Sequence, residues 1–196
     1  RPNSRWYSGS GIYRDVNLWT GKDVYISHDK LRITTLSVND DMAVIEVCAQ
    51  LKNIIGHGLE AECLIEIKKD GQKTASDTQR VVFRSEQMQT VRVQIPIEHP
   101  KKWSPKQPAL YECHITTKFD DKICDEAVSN FGIRVLALDP VRGLQINGET
   151  FKLRGTCIHH DNGVIGAETF KEAEWYRCKR LKEAGFNAIR LSLIHI

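Results

Sequence analysis

The fold is decided by the stretch Ala43-Val44-Ile45-Glu46-Val47-Cys48-Ala49-Gln50-Leu51, in which every second residue is apolar. The intervening phase includes the polar residues Glu46 and Gln50. Successive side chains of a β-strand point to opposite faces, so this alternation predicts a strand with one buried face and one solvated face.

Segments of this kind follow one another between about residue 22 and residue 138, with no helical period between them. Asp70-Gly71 and Asp120-Asp121 supply turns between neighbouring segments. The other apolar phases are Cys63, Ile65 and Ile67; Val91, Val93, Ile95 and Ile97; and Tyr111, Cys113, Ile115 and Phe119. Short alternating strands at this spacing predict a mostly β protein, with two packed antiparallel sheets in an immunoglobulin-like sandwich.

The pattern changes after Asp139-Pro140. Asn147-Gly148 predicts a hairpin between two short strands in residues 144–153, and a further strand extends to Ile158. Thr169 and Glu172 have the spacing of a capping box, which predicts a helix start. The apolar positions that predict a buried helix face are Phe170, Ala173, Trp175, Cys178, Leu181 and Ala184.

Gly185 then ends the helix, and residues 186–192 form another short apolar strand. A strand, a helix and a strand at this spacing form a βαβ unit with parallel strands. A parallel sheet or a (β/α) barrel is therefore predicted to begin near residue 150.

Composition excludes several classes of protein. The chain has 196 residues, of which 41% are hydrophobic, and its net charge of +3 comes from 28 basic and 25 acidic residues that are interspersed. That distribution provides no nucleic-acid footprint, and no apolar run reaches the roughly 18 residues that a membrane span needs. The six cysteines form no C-x-x-C pair, which disfavours a zinc site and favours small buried thiols over disulfides.

The richest cluster of chemical groups is His159-His160-Asp161, within Leu153–Gly163. It lies at the predicted carboxyl end of the first parallel strand, which is the active-site end in a (β/α) barrel. Arg190 and Ser192 share one phase of the second parallel strand. The alternative to a functional role for the two histidines is a hydrogen-bonded polar loop. For Arg190 and Arg154 the alternative is a structural salt bridge. Adjacent strand residues point to opposite faces, so at most one imidazole should face a site.

Four motifs in order resemble family 2 glycoside hydrolases, the β-galactosidase and β-glucuronidase group. The first contains Trp6, Tyr7 and Tyr13, which are either a sugar platform or core residues. The motifs are Ser4–Val16; Trp103-Ser104-Pro105 leading to Leu110-Tyr111; Phe131-Gly132-Ile133-Arg134; and Asn147-Gly148 with Leu153-Arg154-Gly155 and the His-His-Asp cluster. The run His159–Gly163 followed by Gly166-Ala167 looks most like bacterial β-galactosidases.

The resemblance implies three domains. Residues 1–21 would be the tail of a jelly-roll sugar-binding domain, 22–138 the immunoglobulin-like sandwich, and 139–196 the truncated start of a catalytic (β/α)8 TIM barrel. It also implies a fragment of a retaining hydrolase of terminal β-galactosides, inactive alone because both catalytic glutamates lie downstream. A β-glucuronidase, a β-mannosidase, and a non-catalytic carbohydrate-binding or spacer module remain open.

Within this chain the resemblance implies contacts to substrate. His159 matches a histidine that contacts the sugar and stabilises the transition state, whereas Asp161, Arg154 and Arg190 are weaker candidates for binding or support. It implies a β-galactoside as partner and no cofactor bound here, since a divalent metal used by family members would be held by downstream residues. Composition predicts neither a nucleic-acid nor a membrane partner, and the sequence leaves compartment and oligomeric state open.

The last residues depart from the family pattern. After Ser192 the family normally continues with His-Tyr-Pro or His-Asn-Pro, whereas this chain reads Leu193-Ile194-His195-Ile196. We therefore transfer no substrate contact to His195. We expect that residues 193–196 are not the native continuation.

Overall fold

A computed structural model describes residues 12, 16–84, 87–159, 162–166 and 168–191. The chain forms two compact units. One unit spans Trp19–Phe151, and the described residues from Lys152 onwards belong to the other. The motif Ser4–Val16, with Trp6, Tyr7 and Tyr13, lies almost wholly outside the described residues, so the jelly-roll tail stays a prediction.

Eight antiparallel strands build the two large sheets of the first unit. They are β1 Val24–Ile26, β2 Arg32–Val38, β3 Met42–Asn53, β4 Leu59–Lys69, β5 Gln72–Phe83, β6 Met88–Glu98, β7 Tyr111–Phe119 and β8 Lys122–Phe131. In the first sheet β3 is central, with β6 along one edge and β1 and β2 along the other. The second sheet has the order β5-β4-β7-β8. A short 3-10 helix, His28–Lys30, connects β1 to β2.

The core lies between these sheets and contains the predicted apolar phases, with Phe119 only partly buried against it. Every second residue of Ala43–Leu51 on β3 is fully buried, as are Cys63, Ile65 and Ile67 on β4. Val91, Ile97, Tyr111 and Ile115 lie in the same cluster. The alternation predicted from sequence is thus confirmed, and the unit is an immunoglobulin-like β-sandwich.

The predicted turns also form. Asp70 and Gly71 have φ values of 51° and 79°, which are the two positive values that a tight hairpin turn between β4 and β5 requires. Asp120 and Asp121 have φ values of 52° and 57° between β7 and β8. Aspartate tolerates this left-handed conformation better than most residues, because its short side chain bonds the local backbone.

The edge strand β1 is tied to the second sheet by two side chains. The buried Thr117 hydroxyl donates to the Val24 carbonyl oxygen at 2.7 Å. Asp125 Oδ2 accepts from the Ile26 amide at 2.8 Å. These bonds close one side of the sandwich, where two sheet edges would otherwise leave backbone groups unpaired.

A small sheet completes the first unit, with β9 Leu136–Asp139, β10 Gly143–Ile146 and β11 Glu149–Thr150. Asn147, at the predicted Asn-Gly turn, accepts from the Val135 amide and donates to the Trp103 carbonyl oxygen. A Cβ on Gly132 would lie 2.8 Å from the Trp103 side chain, and the Arg134 guanidinium lies 4.2 Å from the centre of its ring. Three of the motifs that carry the family resemblance thus meet around Trp103 as structural supports.

The second unit contains β12 Gly155–Ile158, α1 Lys171–Glu183 and β13 Ala188–Leu191. β12 and β13 pair in parallel, so the predicted strand–helix–strand order is confirmed. A 3-10 helix, Gly163–Ile165, lies between β12 and α1. No helix in the described part of the chain is long and apolar enough to cross a membrane.

Two predictions for α1 are wrong. The helix begins one residue later than the capping box requires: Phe170 occupies the N-cap position, and the Thr169 hydroxyl donates to Glu174 Oε1 at 2.7 Å instead. The predicted apolar face is also not buried, since no residue of α1 is buried and Trp175 is 64% exposed. Two short strands offer too little surface to cover a helix face of this width.

The six cysteines are free, as expected. Cys63, Cys113 and Cys124 are buried in the sandwich, and burial raises the pKa of the Cys63 and Cys113 thiols to about 12. Cys157 and Cys178 are exposed, so the expectation of buried thiols is wrong for the second unit. The layer that would bury them is absent among the described residues of that unit.

Candidate functional site

His159 directly follows β12, at the carboxyl end of this strand. The pattern of exposure alternates along β12, with Thr156 and Ile158 half-buried and Cys157 exposed. His159 is exposed in the same phase as Cys157. The strand therefore presents this imidazole on its more open face, where it is engaged in an interaction but still accessible to solvent.

Arg190 lies on the same face as His159. In the parallel register of β12 and β13, Cys157 is opposite Arg190, and residues opposite each other in a parallel pair point to the same side. Ser192, which was predicted on the same strand phase, lies outside the described residues, as do His160 and Asp161. Of the predicted site residues, the described structure therefore brings His159 and Arg190 to one side of the strand pair.

Arg154 lies at the opposite end of β12. It immediately precedes Gly155, and five residues of extended chain at about 3.3 Å each separate it from His159, or roughly 16 Å. The Arg154 backbone therefore lies towards the base of the strand, away from His159. Its binding role is not tested by this geometry and stays a prediction, with a supporting function at the base of the strand favoured.

Asn187 aligns the two parallel strands, and sequence reasoning missed it. Its Oδ1 accepts from the Arg154 amide at 2.7 Å, and its Nδ2 donates to the Lys152 carbonyl oxygen at 3.0 Å. Its own amide donates to the Arg154 carbonyl oxygen at 2.9 Å. One side chain at the start of β13 thereby fixes where β12 begins. The only local signal was an asparagine just after the helix-ending Gly185.

The segment after the His-His-Asp cluster is anchored to α1. Asn162 donates from Nδ2 to the Glu168 carbonyl oxygen at 2.7 Å and accepts from Arg177 through Oδ1. Arg177 in turn pairs with Glu174 at 3.1 Å, and Glu174 also accepts from Thr169. These residues are 15 or fewer positions apart, yet no sequence period relates them. Glu174 is thus engaged by Thr169 and Arg177.

The chemistry that this strand end offers is hydrogen-bond donation. Imidazole and guanidinium groups can donate to hydroxyl oxygens or to an oxygen that gains negative charge. Among the described residues, no cluster of three or more histidine, cysteine, aspartate or glutamate side chains could hold a metal ion. The site is suited to contacting a polar ligand.

The class of protein follows from an immunoglobulin-like sandwich that leads into a parallel strand–helix–strand unit. The family model for glycosyl hydrolases family 2 matches residues 24–134. The chain therefore belongs to glycoside hydrolase family 2.

Individual proteins agree with this assignment. The chain is 30% identical over 203 residues to a beta-galactosidase of Bacteroides ovatus, with 98% of this chain and 23% of that protein covered. It is 27% identical over 201 residues to a beta-glucuronidase of Formosa agariphila, with 96% and 20% covered. A solved family 2 structure from Bacteroides cellulosilyticus has a TM-score of 0.87 at 34% identity, with 95% and 24% covered.

The chain spans only about a fifth of the length of these two curated relatives, 23% and 20% respectively. The match over residues 24–134 establishes the family and agrees with the sandwich fold. The activity of the whole protein and its substrate are proposals.

Proposed function

We propose that this chain supplies the immunoglobulin-like domain and the start of the catalytic barrel of a retaining glycoside hydrolase that cleaves terminal β-galactosides. Membership of family 2 over residues 24–134 is the observation that carries the proposal. The run His159–Gly163 with Gly166-Ala167 looks most like bacterial β-galactosidases and favours a galactoside. The parallel pair of β12 and β13 is what the first two strands of a barrel would provide.

In this proposal His159 contacts the sugar at the strand end. A fixed donor there strengthens its hydrogen bond as charge develops in the transition state. Asp161 and Arg190 assist in binding, and Arg154 supports the base of the strand. Two glutamates outside this chain act as acid and nucleophile, with their carboxyl groups about 5 Å apart.

The domain boundaries belong to the same proposal: a jelly-roll tail over 1–21, the sandwich over 22–138 and the barrel from 139. The compact unit Trp19–Phe151 includes the hairpin of β10 and β11. Any divalent metal would be bound by residues outside this chain.

Turnover of aryl glycosides tests the proposal. The enzyme encoded by the complete gene should hydrolyse an aryl β-galactoside with retention of configuration, and the 196-residue chain should not. His159→Ala in the complete enzyme should lower kcat by about 100-fold or more. Lys30→Ala, on the exposed 3-10 helix, is a matched surface control that should leave kcat unchanged. Turnover by the 196-residue chain alone would refute the proposal that this chain is inactive by itself.

A second sugar class has specific support, because the Formosa agariphila relative that aligns with 96% of this chain is a beta-glucuronidase. Assaying the complete enzyme on aryl β-galactoside, β-glucuronide and β-mannoside in parallel separates these possibilities. Faster turnover of the glucuronide would overturn the galactoside assignment. No turnover of any of the three would favour a non-catalytic carbohydrate-binding or spacer module.

A further inference from the structure

A cavity of about 380 Å³ opens at the side of the sandwich where β1 lies between the two sheets. It is formed within the first unit, by the segment before β1, by β1 itself and by the 3-10 helix His28–Lys30. Its volume is near the lower end of the range of about 300–1,000 Å³ that small-molecule sites occupy. The cavity can therefore take one small ligand.

An aromatic platform forms one wall. The rings of Trp19 and His28 stack with centroids 4.0 Å apart and planes inclined by 26°. Because His28 covers one face of the indole and Trp19 is still 67% exposed, the other face is open. An aromatic face carries partial negative charge, which attracts the polarised C–H groups on the flat side of a pyranose ring.

The platform is held in place by the backbone. Gly21 packs so closely on Tyr25 that a Cβ at position 21 would lie 2.6 Å from the Tyr25 Cβ. The Lys22 amide donates to the Cys124 carbonyl oxygen at 3.2 Å. The segment that carries Trp19 is therefore anchored before any ligand arrives, which reduces the entropy that binding must offset.

Polar groups line the rest of the cavity. They include Tyr25, Asp29, Lys52 and Asp125. The Lys52 ammonium and the two aspartate carboxylates give the lining a net formal charge of −1. Hydroxyl groups of a neutral sugar can donate to the carboxylates and accept from the ammonium. A uronic acid would bring a further negative charge and would be disfavoured.

The cavity floor contains an unpaired hydroxyl. Ser27 is 6% exposed, and its Oγ has no hydrogen-bond partner among the described residues. Leaving a buried polar group unpaired costs about 1–3 kcal/mol. A ligand hydroxyl that reached this Oγ would satisfy it.

We propose that this cavity is a binding site for one neutral hexopyranose unit, separate from the strand end that carries His159. The open face of Trp19 binds the apolar side of the sugar, and Asp29, Lys52 and Asp125 bind its hydroxyls. The choice of a galactoside as probe rests on the proposed function. The preference for a neutral sugar rests on the charges of the cavity.

The test is a titration of the 196-residue chain with methyl β-D-galactopyranoside, followed by the backbone amide signals of residues 25–29 in NMR spectra, which remain in every variant. A saturable shift with a millimolar Kd is expected. Trp19→Ala should weaken binding about tenfold, whereas Trp175→Ala, which removes a tryptophan of similar exposure, should leave the Kd unchanged. Methyl β-D-glucuronide should bind several-fold more weakly than the galactoside.

Absence of saturable shifts, or equal Kd values for the two tryptophan variants, would overturn the proposal. His28→Ala is a second variant. It removes the imidazole that stacks on Trp19, and it should also weaken binding. Melting curves verify that each variant is folded. Binding is read without turnover, so a negative result leaves the proposed hydrolase standing, and loss of hydrolysis in the complete enzyme leaves this site standing.

Discussion

The sandwich and the strand–helix–strand unit of this chain differ in how they use their apolar residues. The sandwich buries its alternating residues in one cluster between two sheets. Beyond Phe151 none of the residues whose burial the structure describes is buried, and the apolar residues Phe170, Trp175, Tyr176 and Leu191 are all more than half exposed. Repeated strands with one apolar face are enough to form a core between two sheets. The βαβ unit shows the expected spacing of apolar residues, but its described residues form no buried core.

The largest expected difference between the two regions lies in the free energy of unfolding. Ile65→Ala in the sandwich core should lower it by about 2–5 kcal/mol, because the buried side chain leaves a cavity. Leu181→Ala on α1 should change it by less than about 1 kcal/mol, since Leu181 is only half-buried. Urea titrations followed by far-UV circular dichroism provide the measurement. Equal losses would show that the second unit has a core of its own.

The next largest effect on the free energy of unfolding is expected where Thr117 and Asp125 tie β1 to the second sheet. Thr117→Val keeps the shape but leaves the Val24 carbonyl oxygen without its 2.7 Å partner, and should cost about 1–3 kcal/mol. Thr78→Val, on the exposed phase of β5, is the control and should be near neutral. Hydrogen exchange at the amides of Val24–Ile26 should accelerate only in Thr117→Val. Unchanged exchange there would mean that Thr117 does not hold the edge strand.

The buried thiols should make stability fall in alkali. The folded state keeps Cys63 and Cys113 protonated up to a pKa of about 12, compared with an ordinary value of 9.0. Their contribution is complete below about pH 9 and is lost as pH rises towards 12, by about 1 kcal/mol per thiol at pH 10. Urea midpoints at pH 8 and pH 10 measure the loss, and a Cys63→Ala/Cys113→Ala variant should reduce it.

A thiol reagent at pH 8 tests the same contrast between the buried core of the sandwich and the exposed residues of the second unit. Cys157 and Cys178 are exposed and should be modified first, and Cys63 and Cys113 only after unfolding. Peptide mapping by mass spectrometry identifies the sites. Early modification of Cys63 would contradict the closed sandwich.

The smallest effect is expected at the turn between β9 and β10. The amides of Arg142 and Val141 donate to Asp139 Oδ1 and lower the pKa of this half-buried carboxyl below 3.8. A lowered pKa means that the carboxylate stabilises the turn above its ordinary pKa and ceases to do so as pH falls through the lowered value. NMR titration of the Asp139 carboxyl carbon should find that midpoint. Asp139→Asn should remove the titration and the associated shift of the Arg142 amide.

Sequence predicted what depends on neighbours along one strand or turn. Ile45 and Ile65 were placed in the core by alternation, and Asp70-Gly71 by turn chemistry. The N-cap of α1 was misplaced because Thr169 pairs with Glu174 rather than with the backbone, a choice that local spacing cannot distinguish.

Contacts between distant segments were beyond the sequence. Asn187 bonds to Arg154 33 positions away, and Asp125 bonds to Ile26 99 positions away. For the candidate site, the register of β12 and β13 places His159 on the side of Arg190. The expectation that at most one imidazole faces a site stays a prediction, because His160 lies outside the described residues. The distance of Arg154 from His159 followed only once the start of β12 was known.

The parallel pair of β12 and β13 has a practical consequence for handling this chain. Within the described residues each strand pairs only with the other, so each keeps one row of unpaired amide and carbonyl groups. Open strand edges beside exposed apolar side chains recruit further strands from other molecules. Concentrated preparations should therefore self-associate through residues 155–158 and 188–191, and a peptide that occupies either edge would keep them dispersed.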